Sequence, residues 1–362
     1  MPCLDLGPSL SDYWRSCVIA QRPGSSTSFA YALGGTSVAL VVTLCISCRS
    51  LALLRRSPVS KQREYYQRLV WMPVVFAWSA HMAVMTPRSW LLCVLLQKSY
   101  EAYALSGFGR LLLLLLVRQT SNDGAGDEDQ SADSLEGFYT PLNSETEERA
   151  VDRVLRVLRA DGPKKFLATP PCLCFCAPCI PVHRFERYHL RYTRRSLQQF
   201  VIAMPLLSIL KLWALLALPS QDGDPSDFGV GAAGVSRLAD ALQKISGFIA
   251  LQGLFTLYKA SHNALHEWNT TMKFVAIKLV IVLDMIQDVL AGFLVTHGIV
   301  GVGSQCHLRD ENLAKIWDQC MLVVEAVFMA LLMYRAFPAQ ELLGAAIHVR
   351  ALDATDLADQ GK

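Results

Sequence analysis

Seven stretches of the chain are long, apolar and nearly free of charge: Tyr31–Leu53, Leu69–Met85, Trp90–Val117, Leu197–Leu218, Leu238–Tyr258, Val275–Val300 and Ile316–Phe337. Crossing the hydrocarbon core of a bilayer takes about 20 mostly apolar residues. Leu69–Met85, at 17 residues, is the shortest of the seven. Lipid offers no water to unpaired peptide groups, so such segments must close their hydrogen bonds internally as helices. No period-two alternation favours a β-barrel. A chain of 362 residues with 52% hydrophobic and only 18% charged residues is also outside the range of ordinary soluble domains. The expected fold class is all-α, a polytopic membrane protein built as a seven-transmembrane-helix bundle.

The expected organisation is an extracytosolic N-terminal segment (1–30), transmembrane helices one to three (31–117), a cytosolic loop (118–196), helices four to seven (197–337) and a cytosolic tail (338–362). The first 30 residues contain Asp5, Asp12 and Arg15 and lack the charged-then-apolar pattern of a cleaved signal, so the first span is expected to do the targeting. Orientation follows the positive charges that flank spans. Arg55, Arg56, Lys61, Arg63 and Arg68 lie between spans one and two, and Arg184, Arg187, Arg191, Arg194 and Arg195 precede span four. The loop after span four, "PSQDGDPSDFGVGAAG", is acidic and Gly-rich. The basic loops are therefore expected in the cytosol, with the N-terminus outside and the C-terminus inside. The net charge of +3 adds little, because position rather than sum decides orientation. The one Asn-x-Ser/Thr acceptor, Asn269-Thr270-Thr271, falls in a loop expected to be cytosolic and so to carry no sugar.

The long loop has three parts. "SNDGAGDEDQSADSLEG" is acidic and poor in apolar residues, which reads as a solvated linker. "SETEERAVDRVLRVLRADGP" reads as an amphipathic helix, with Ser144 and Glu147 at capping-box spacing and Gly162-Pro163 as a stop. Val151, Val154, Leu155 and Leu158 share one face, and Arg149, Arg153 and Arg156 lie on another. That helix can lie on an anionic leaflet or pack beneath the bundle; the pattern is the same for both. The third part holds Cys172, Cys174, Cys176 and Cys179 in "CLCFCAPCIP", then "VHRFERYHLRYTRR", where Phe185, Tyr188 and Tyr192 share a face among arginines. Directly before a span, that mixture is an interfacial anchor rather than a nucleic-acid surface.

Reduced cytosolic thiols do not form structural disulfides. Zinc needs four ligands, usually as two separated pairs. Cys176 and Cys179 make one pair, but Cys172 and Cys174 make a poor second, even with His183 nearby. Cysteines beside a basic membrane surface suit S-acylation, so these four are candidate lipidation sites, with zinc and inert thiols as alternatives. Cys3, Cys17 and Cys306 are expected outside, an odd number that fixes no pairing.

Charges inside spans are costly and normally face the bundle interior or a cavity. Span three holds Lys98, Glu101 and Arg110; span six holds Lys278, Asp284, Gln287 and Asp288; span seven holds Glu325. Asp284, Gln287 and Asp288 fall on one helical face. Lys211, Lys244 and Arg335 are expected to snorkel to an interface. The intramembrane charges suit structural ion pairs, a polar solute path or a proton relay, and the pattern alone separates none of them. Pro205, Gly107 and Gly109 allow kinks or close helix approach.

Other chemistries lack their residues. There is no phosphate-binding glycine loop with Lys-Ser/Thr, no HExxH and no GxSxG. A G-protein-coupled receptor would carry DRY after span three and NPxxY in span seven, and a retinal protein a lysine in the last span; none is present. Asp284 and Asp288 lie on a single helix without an opposing aspartyl motif, so intramembrane proteolysis is not indicated. No enzymatic activity and no cofactor are expected.

Five stretches, in order and spacing, resemble the organic solute transporter alpha subunit and transmembrane protein 184 family. They are "KQREYYQRLVWMPVVFAWSA" (Gln62, Arg63, Pro73), "SYEAYALSGF" (Tyr100, Glu101, Ala102), "RSLQQFVIAMP" (Gln199, Pro205), "MKFVAIKLVIVLDMIQDVL" (Lys273, Phe274, Lys278, Gln287) and "VVEAVFMALLMYRAF" (Glu325, Phe337). The cysteine run, ending Pro178-Cys179-Ile180-Pro181, is similar to the lipidated string of the alpha branch. It departs in being broken by Leu173, Phe175 and Ala177-Pro178, and "LVRQTSNDGAG" stands where Gly-Gly usually follows span three.

The resemblance implies facilitated, energy-independent passage of amphipathic organic solutes such as steroid conjugates or bile-acid-like anions, with a single-span partner subunit in the alpha branch. The expected solute path runs along Lys98, Glu101, Arg110, Gln199, Lys278, Asp284, Gln287, Asp288 and Glu325. Lys98, Lys278 and Arg110 would attract an anionic head group. Expected partners are membrane lipids, the solute and the partner subunit, with homo-oligomerisation open and no nucleic acid; the plasma membrane is favoured over endomembranes. The competing reading is a membrane scaffold that docks partners through its cytosolic loop.

Overall fold

The computed structural model describes residues 26–86, 89–122, 145–160, 184–217, 232–263, 265–296 and 310–342, together with Gly162. The helices are α1 (Ser26–Arg55), α2 (Lys61–Val70), α3 (Met72–Met85), α4 (Trp90–Asn122), α5 (Glu145–Ala160), α6 (Arg187–Ala217), α7 (Ala232–Ser261), α8 (Thr270–Thr296) and α9 (Asp310–Ala336), with a short 3₁₀ turn at His266–Trp268. Among the described residues, five segments are long and apolar enough to cross a membrane: Tyr31–Arg55, Lys61–Met85, Trp90–Val117, Arg187–Ala214 and Ile316–Leu342. Helices α7 and α8, of 30 and 27 residues, have the length as well. Their charged residues are Arg237, Asp240, Lys244 and Lys259 on α7, and Lys273, Lys278, Asp284 and Asp288 on α8.

Local chemistry explains the elements. In α1 the hydroxyls of Thr36, Ser37 and Thr43 donate to Leu33 and Ala39 carbonyls one turn earlier, at 2.8–3.0 Å, so these three polar side chains sit in an apolar helix with their donors satisfied. Ser60 caps α2 by accepting from the Arg63 amide at 3.2 Å. Only Trp71 separates α2 from α3, and its helical φ of −72° lets the two run on almost continuously. Pro73 stands in the first turn of α3, where its missing N–H costs nothing. The short second run of the sequence is thereby extended back to Lys61 as an amphipathic helical entry. Arg68, which the sequence places in a loop, lies on this helix.

Helix α4 is the hub, packing against α2, α3, α5, α6 and α7, while α9 packs against α1, α3 and α8. Thirty-three residues give α4 about 50 Å of length, well beyond a hydrocarbon core of about 30 Å. Its projecting end carries α5, whose Val154, Leu155 and Leu158 are buried in the shared core. Arg187 pairs with Asp152 at 2.6 Å, and Arg159 Nε donates to the Phe185 carbonyl at 3.2 Å. Gly162, at φ 78°, takes the left-handed turn that ends the helix. Of the two arrangements open for this amphipathic helix, the structure adopts packing beneath the bundle.

The tightest pair is α6–α7. A methyl on Gly253 would collide with Ser196 Oγ and stand 3.3 Å from both the Thr193 Cα and the Ser196 Cβ, so glycine lets these helices meet as closely as they do. Thr193 Oγ1 donates to the Gly253 carbonyl at 3.2 Å. Phe274 of α8 ties three helices together: it stacks on Tyr258 at 4.1 Å, meets Phe255 edge-on at 4.9 Å and lies 6.5 Å from Phe108. Outside, Val38, Trp78, Leu206, Trp213, Ile245 and Phe328 are exposed. An apolar exterior of this kind on helices of spanning length is the lipid-facing surface of an integral, multi-pass membrane protein.

Candidate functional site

Among the described residues, polar groups of the bundle gather at three clusters and line one open cleft. In the first cluster, Gln97 Nε2 of α4 donates to Gln319 Oε1 of α9 at 2.9 Å. Gln319 Nε2 donates in turn to Asp318 Oδ2 at 3.0 Å, and Gln287 Nε2 of α8 donates to the Asp318 carbonyl at 2.5 Å. This amide seam joins α4, α8 and α9. One turn along α4, Lys98 and Glu101 pair at 3.3 Å, with the Glu101 side chain only 5% exposed.

In the second cluster, Lys211 of α6 is buried and bonds to Asp240 and, at 3.0 Å, to Gln243 Oε1 of α7. Gln243 Nε2 completes it by donating to Ser208 Oγ at 2.9 Å. The expectation that Lys211 snorkels is corrected: two acceptors from α7, Asp240 and Gln243, hold its end inside. Lys244 and Arg335 are exposed, as snorkelling requires.

The third cluster joins chain ends far apart in sequence. Lys273 at the start of α8 is fully buried; its ammonium pairs with Glu341 Oε2 at 2.6 Å and donates to the Trp268 carbonyl. Tyr66 OH donates to the same Glu341 oxygen at 2.8 Å and accepts from Gln62 Nε2 at 3.1 Å. The Tyr66 ring meets Phe337 edge-on at 5.0 Å and lies 5.5 Å from the Lys273 ammonium. Gln62, Lys273 and Phe337, drawn from three of the resembling stretches, thus meet around Tyr66 and Glu341.

Of the other expected path residues, Arg110 and Glu325 are half-buried on α4 and α9, and Gln199 is exposed on α6. Lys278 is half-buried with its ammonium 4.2 Å from the Phe255 ring centre. Asp284 and Asp288 lie on α8, but their side chains are outside the described residues, as are Cys172, Cys174, Cys176 and Cys179. The described cysteines, Cys45, Cys48, Cys93 and Cys320, are free thiols. Among the described residues no group of three or more His, Cys, Asp or Glu is arranged for a metal.

The cleft lies between α2 and α4. It has a volume of about 420 Å³ and is lined by Glu64, Gln67, Arg68, Trp71, Tyr100 and Tyr103. The Arg68 guanidinium carbon lies over two rings, 5.4 Å from the centre of Tyr65 and 5.3 Å from that of Tyr103. Tyr100 OH fixes the floor by donating to the Arg68 carbonyl at 2.8 Å. Sequence reasoning counted Arg68 as an orientation signal only, because its neighbours in the cleft come from α4, more than 30 positions later. Gln97, Gln243 and Gln319 were missed for a similar reason, since an uncharged amide in a span attracts attention only once its partner is known.

The buried clusters link helices to one another, whereas the cleft opens at the surface. No solved structure matches the chain. The family model for the organic solute transporter Ostalpha matches residues 30–342, nearly all of the described bundle. The lipid-facing helices, the internal polar seams and this match agree, and the chain belongs to the organic solute transporter Ostalpha family.

Proposed function

We propose that the protein facilitates passive passage of amphipathic organic anions, such as steroid conjugates or bile-acid-like molecules, across the plasma membrane. The observation that carries this reading is the fate of the buried lysines. Lys98, Lys211 and Lys273 each face a carboxylate, on Glu101, Asp240 and Glu341, and so are neutralised within the fold. A pump or an ion-coupled carrier needs charges that change partner during the cycle. Pairs held in place, two of them between helical segments and Lys98–Glu101 within α4, favour a scaffold that merely lowers the barrier for a solute moving down its own gradient. Lys278, Arg110, Asp284, Asp288, Glu325 and Gln199 remain the wider candidate path.

Seven spans with the N-terminus outside fit the same picture. The starts of α2 and α8 and the end of α9 meet at the Lys273 cluster, as strict alternation requires, and α5 packs at an end rich in arginine. Asn269 then faces the cytosol and carries no glycan. We assign Cys172, Cys174, Cys176 and Cys179 to S-acylation, and a single-span subunit as partner. The scaffold reading is weakened by α5, whose apolar face is already covered and is not offered to a partner.

The test is uptake of a labelled sulfated steroid into liposomes containing only the purified chain, beside empty liposomes. Saturable uptake without ATP supports the reading. If the folded chain gives no uptake alone, co-reconstitution with any single-span protein that co-purifies from native membranes must restore it; no uptake with that subunit present sinks the reading.

A further inference from the structure

The cleft around Arg68 has features that the three buried clusters lack. Arg68 has no carboxylate partner among the described residues, although Glu64 lies one turn earlier on the same helix, at the spacing that favours pairing. Instead the guanidinium carbon lies over the rings of Tyr65 and Tyr103, 5.4 and 5.3 Å from their centres. Among the described residues its N–H groups make no hydrogen bond, and these are the groups that grip carboxylate, sulfate or phosphate in pairs. Tyr100 meets Tyr103 edge-on at 5.8 Å, so the aromatic wall is itself braced.

The cleft also has the right mixture and position. Its volume of about 420 Å³ is within the range of small-molecule sites. Trp71 is 40% and Tyr103 44% exposed, which turns the aromatic wall toward the outside of the bundle rather than into its interior. An apolar body can enter from the bundle surface and lie against these rings while its charged end reaches Arg68. Glu64, exposed at the rim, opposes an anion and so sets an upper limit on its residence.

We propose that this cleft is a binding site for the anionic head group of an amphipath, with Arg68 as the head-group ligand and Trp71 and Tyr103 as the apolar wall. This rests on the transport reading for the identity of the occupant as a solute. The same chemistry would also hold the phosphate of an anionic lipid, and the experiment separates the two.

The measurement is equilibrium binding of a sulfated steroid to the purified full chain in phosphatidylcholine nanodiscs, repeated with phosphatidic acid in the disc. Arg68→Gln is expected to weaken steroid binding about tenfold or more, the usual cost of losing a charged hydrogen-bonding partner. Arg68→Lys should recover part of it, and the unsulfated steroid should not respond to either change. Glu64→Gln, at an exposed position where folding is not at stake, should tighten binding by about threefold through removal of a like charge. If labelled phosphatidic acid binds in an Arg68-dependent way and the steroid does not, the site stands and its occupant is a lipid. If neither ligand responds to Arg68→Gln, Arg68→Lys or Glu64→Gln in folded protein, the site is refuted. Transport is judged separately: flux that persists while binding ignores Arg68 removes this site only, and Arg68-dependent binding without flux removes the transport reading only.

Discussion

The α6–α7 pair and the α2–α4 cleft are both contacts between neighbouring helices, and they spend their polar residues in opposite ways. Between α6 and α7 the backbones touch at Gly253, and Lys211, Asp240, Gln243 and Ser208 satisfy one another in a closed network. Between α2 and α4 a cleft opens at the surface, and Arg68 lies over two rings with no ion-pair partner among the described residues. In lipid, hydrogen bonds and close packing hold helices together in place of the hydrophobic effect. A region that has used its polar groups this way is rigid and has nothing to offer a solute. A region that has not used them is where a solute can be received. The Lys273–Glu341–Tyr66 cluster belongs with the closed kind, since it fastens the segment after α9 to α2 and α8.

The comparison can be broken by substitution, and the largest effect is expected at the best-buried group. Lys273→Met strands Glu341 and Tyr66 and should cost about 3 kcal/mol, near the low end for breaking a buried pair, because Glu341 keeps some access to water. Thermal unfolding in detergent would register it, and a stability equal to wild type would remove Lys273 from the account. Next comes Gly253→Ala, which forces α6 and α7 apart by a few tenths of an ångström and should cost about 2 kcal/mol by overpacking. Lys211→Met should cost about 1 kcal/mol, discounted because the Asp240 side chain is 50% exposed.

The smallest effect sharpens the contrast most. Gly107, beside the cleft, has as its nearest neighbour only Tyr65 Cδ1 at 4.0 Å. Gly107→Ala should therefore leave stability unchanged or raise it by up to about 1 kcal/mol, because alanine is the better helix former. A loss at Gly107 as large as that at Gly253 would show that the two regions are packed alike.

The bundle itself was largely legible in the sequence, because long uncharged runs leave the backbone no alternative in lipid. Helix ends were less so. Leu69–Met85 appeared marginal since the polar α2 that lengthens it has no apolar signature, and span four gains the ten residues from Arg187 for the same reason. The position of α5 could not be read from its pattern, as Val154, Leu155 and Leu158 present the same face to a membrane or to α4. Single charges were harder still. Lys211 looked free to snorkel because its partners, Asp240 and Gln243, lie on the next helix. Gln287 was found by its spacing, but its acceptor, the carbonyl of Asp318, carries no sequence signal at all.

The central claim is that the chain lets an amphipathic anion equilibrate without coupling to another gradient. It is tested most directly by loading proteoliposomes with labelled steroid sulfate at equal concentration on both sides, clamping the membrane potential at zero, and then imposing a proton or sodium gradient. The account predicts that tracer exchange is fast and saturable in both directions while the inside-to-outside ratio stays at one. Net accumulation driven by either gradient would contradict it, because some charge in the bundle would then have to change hands during transport.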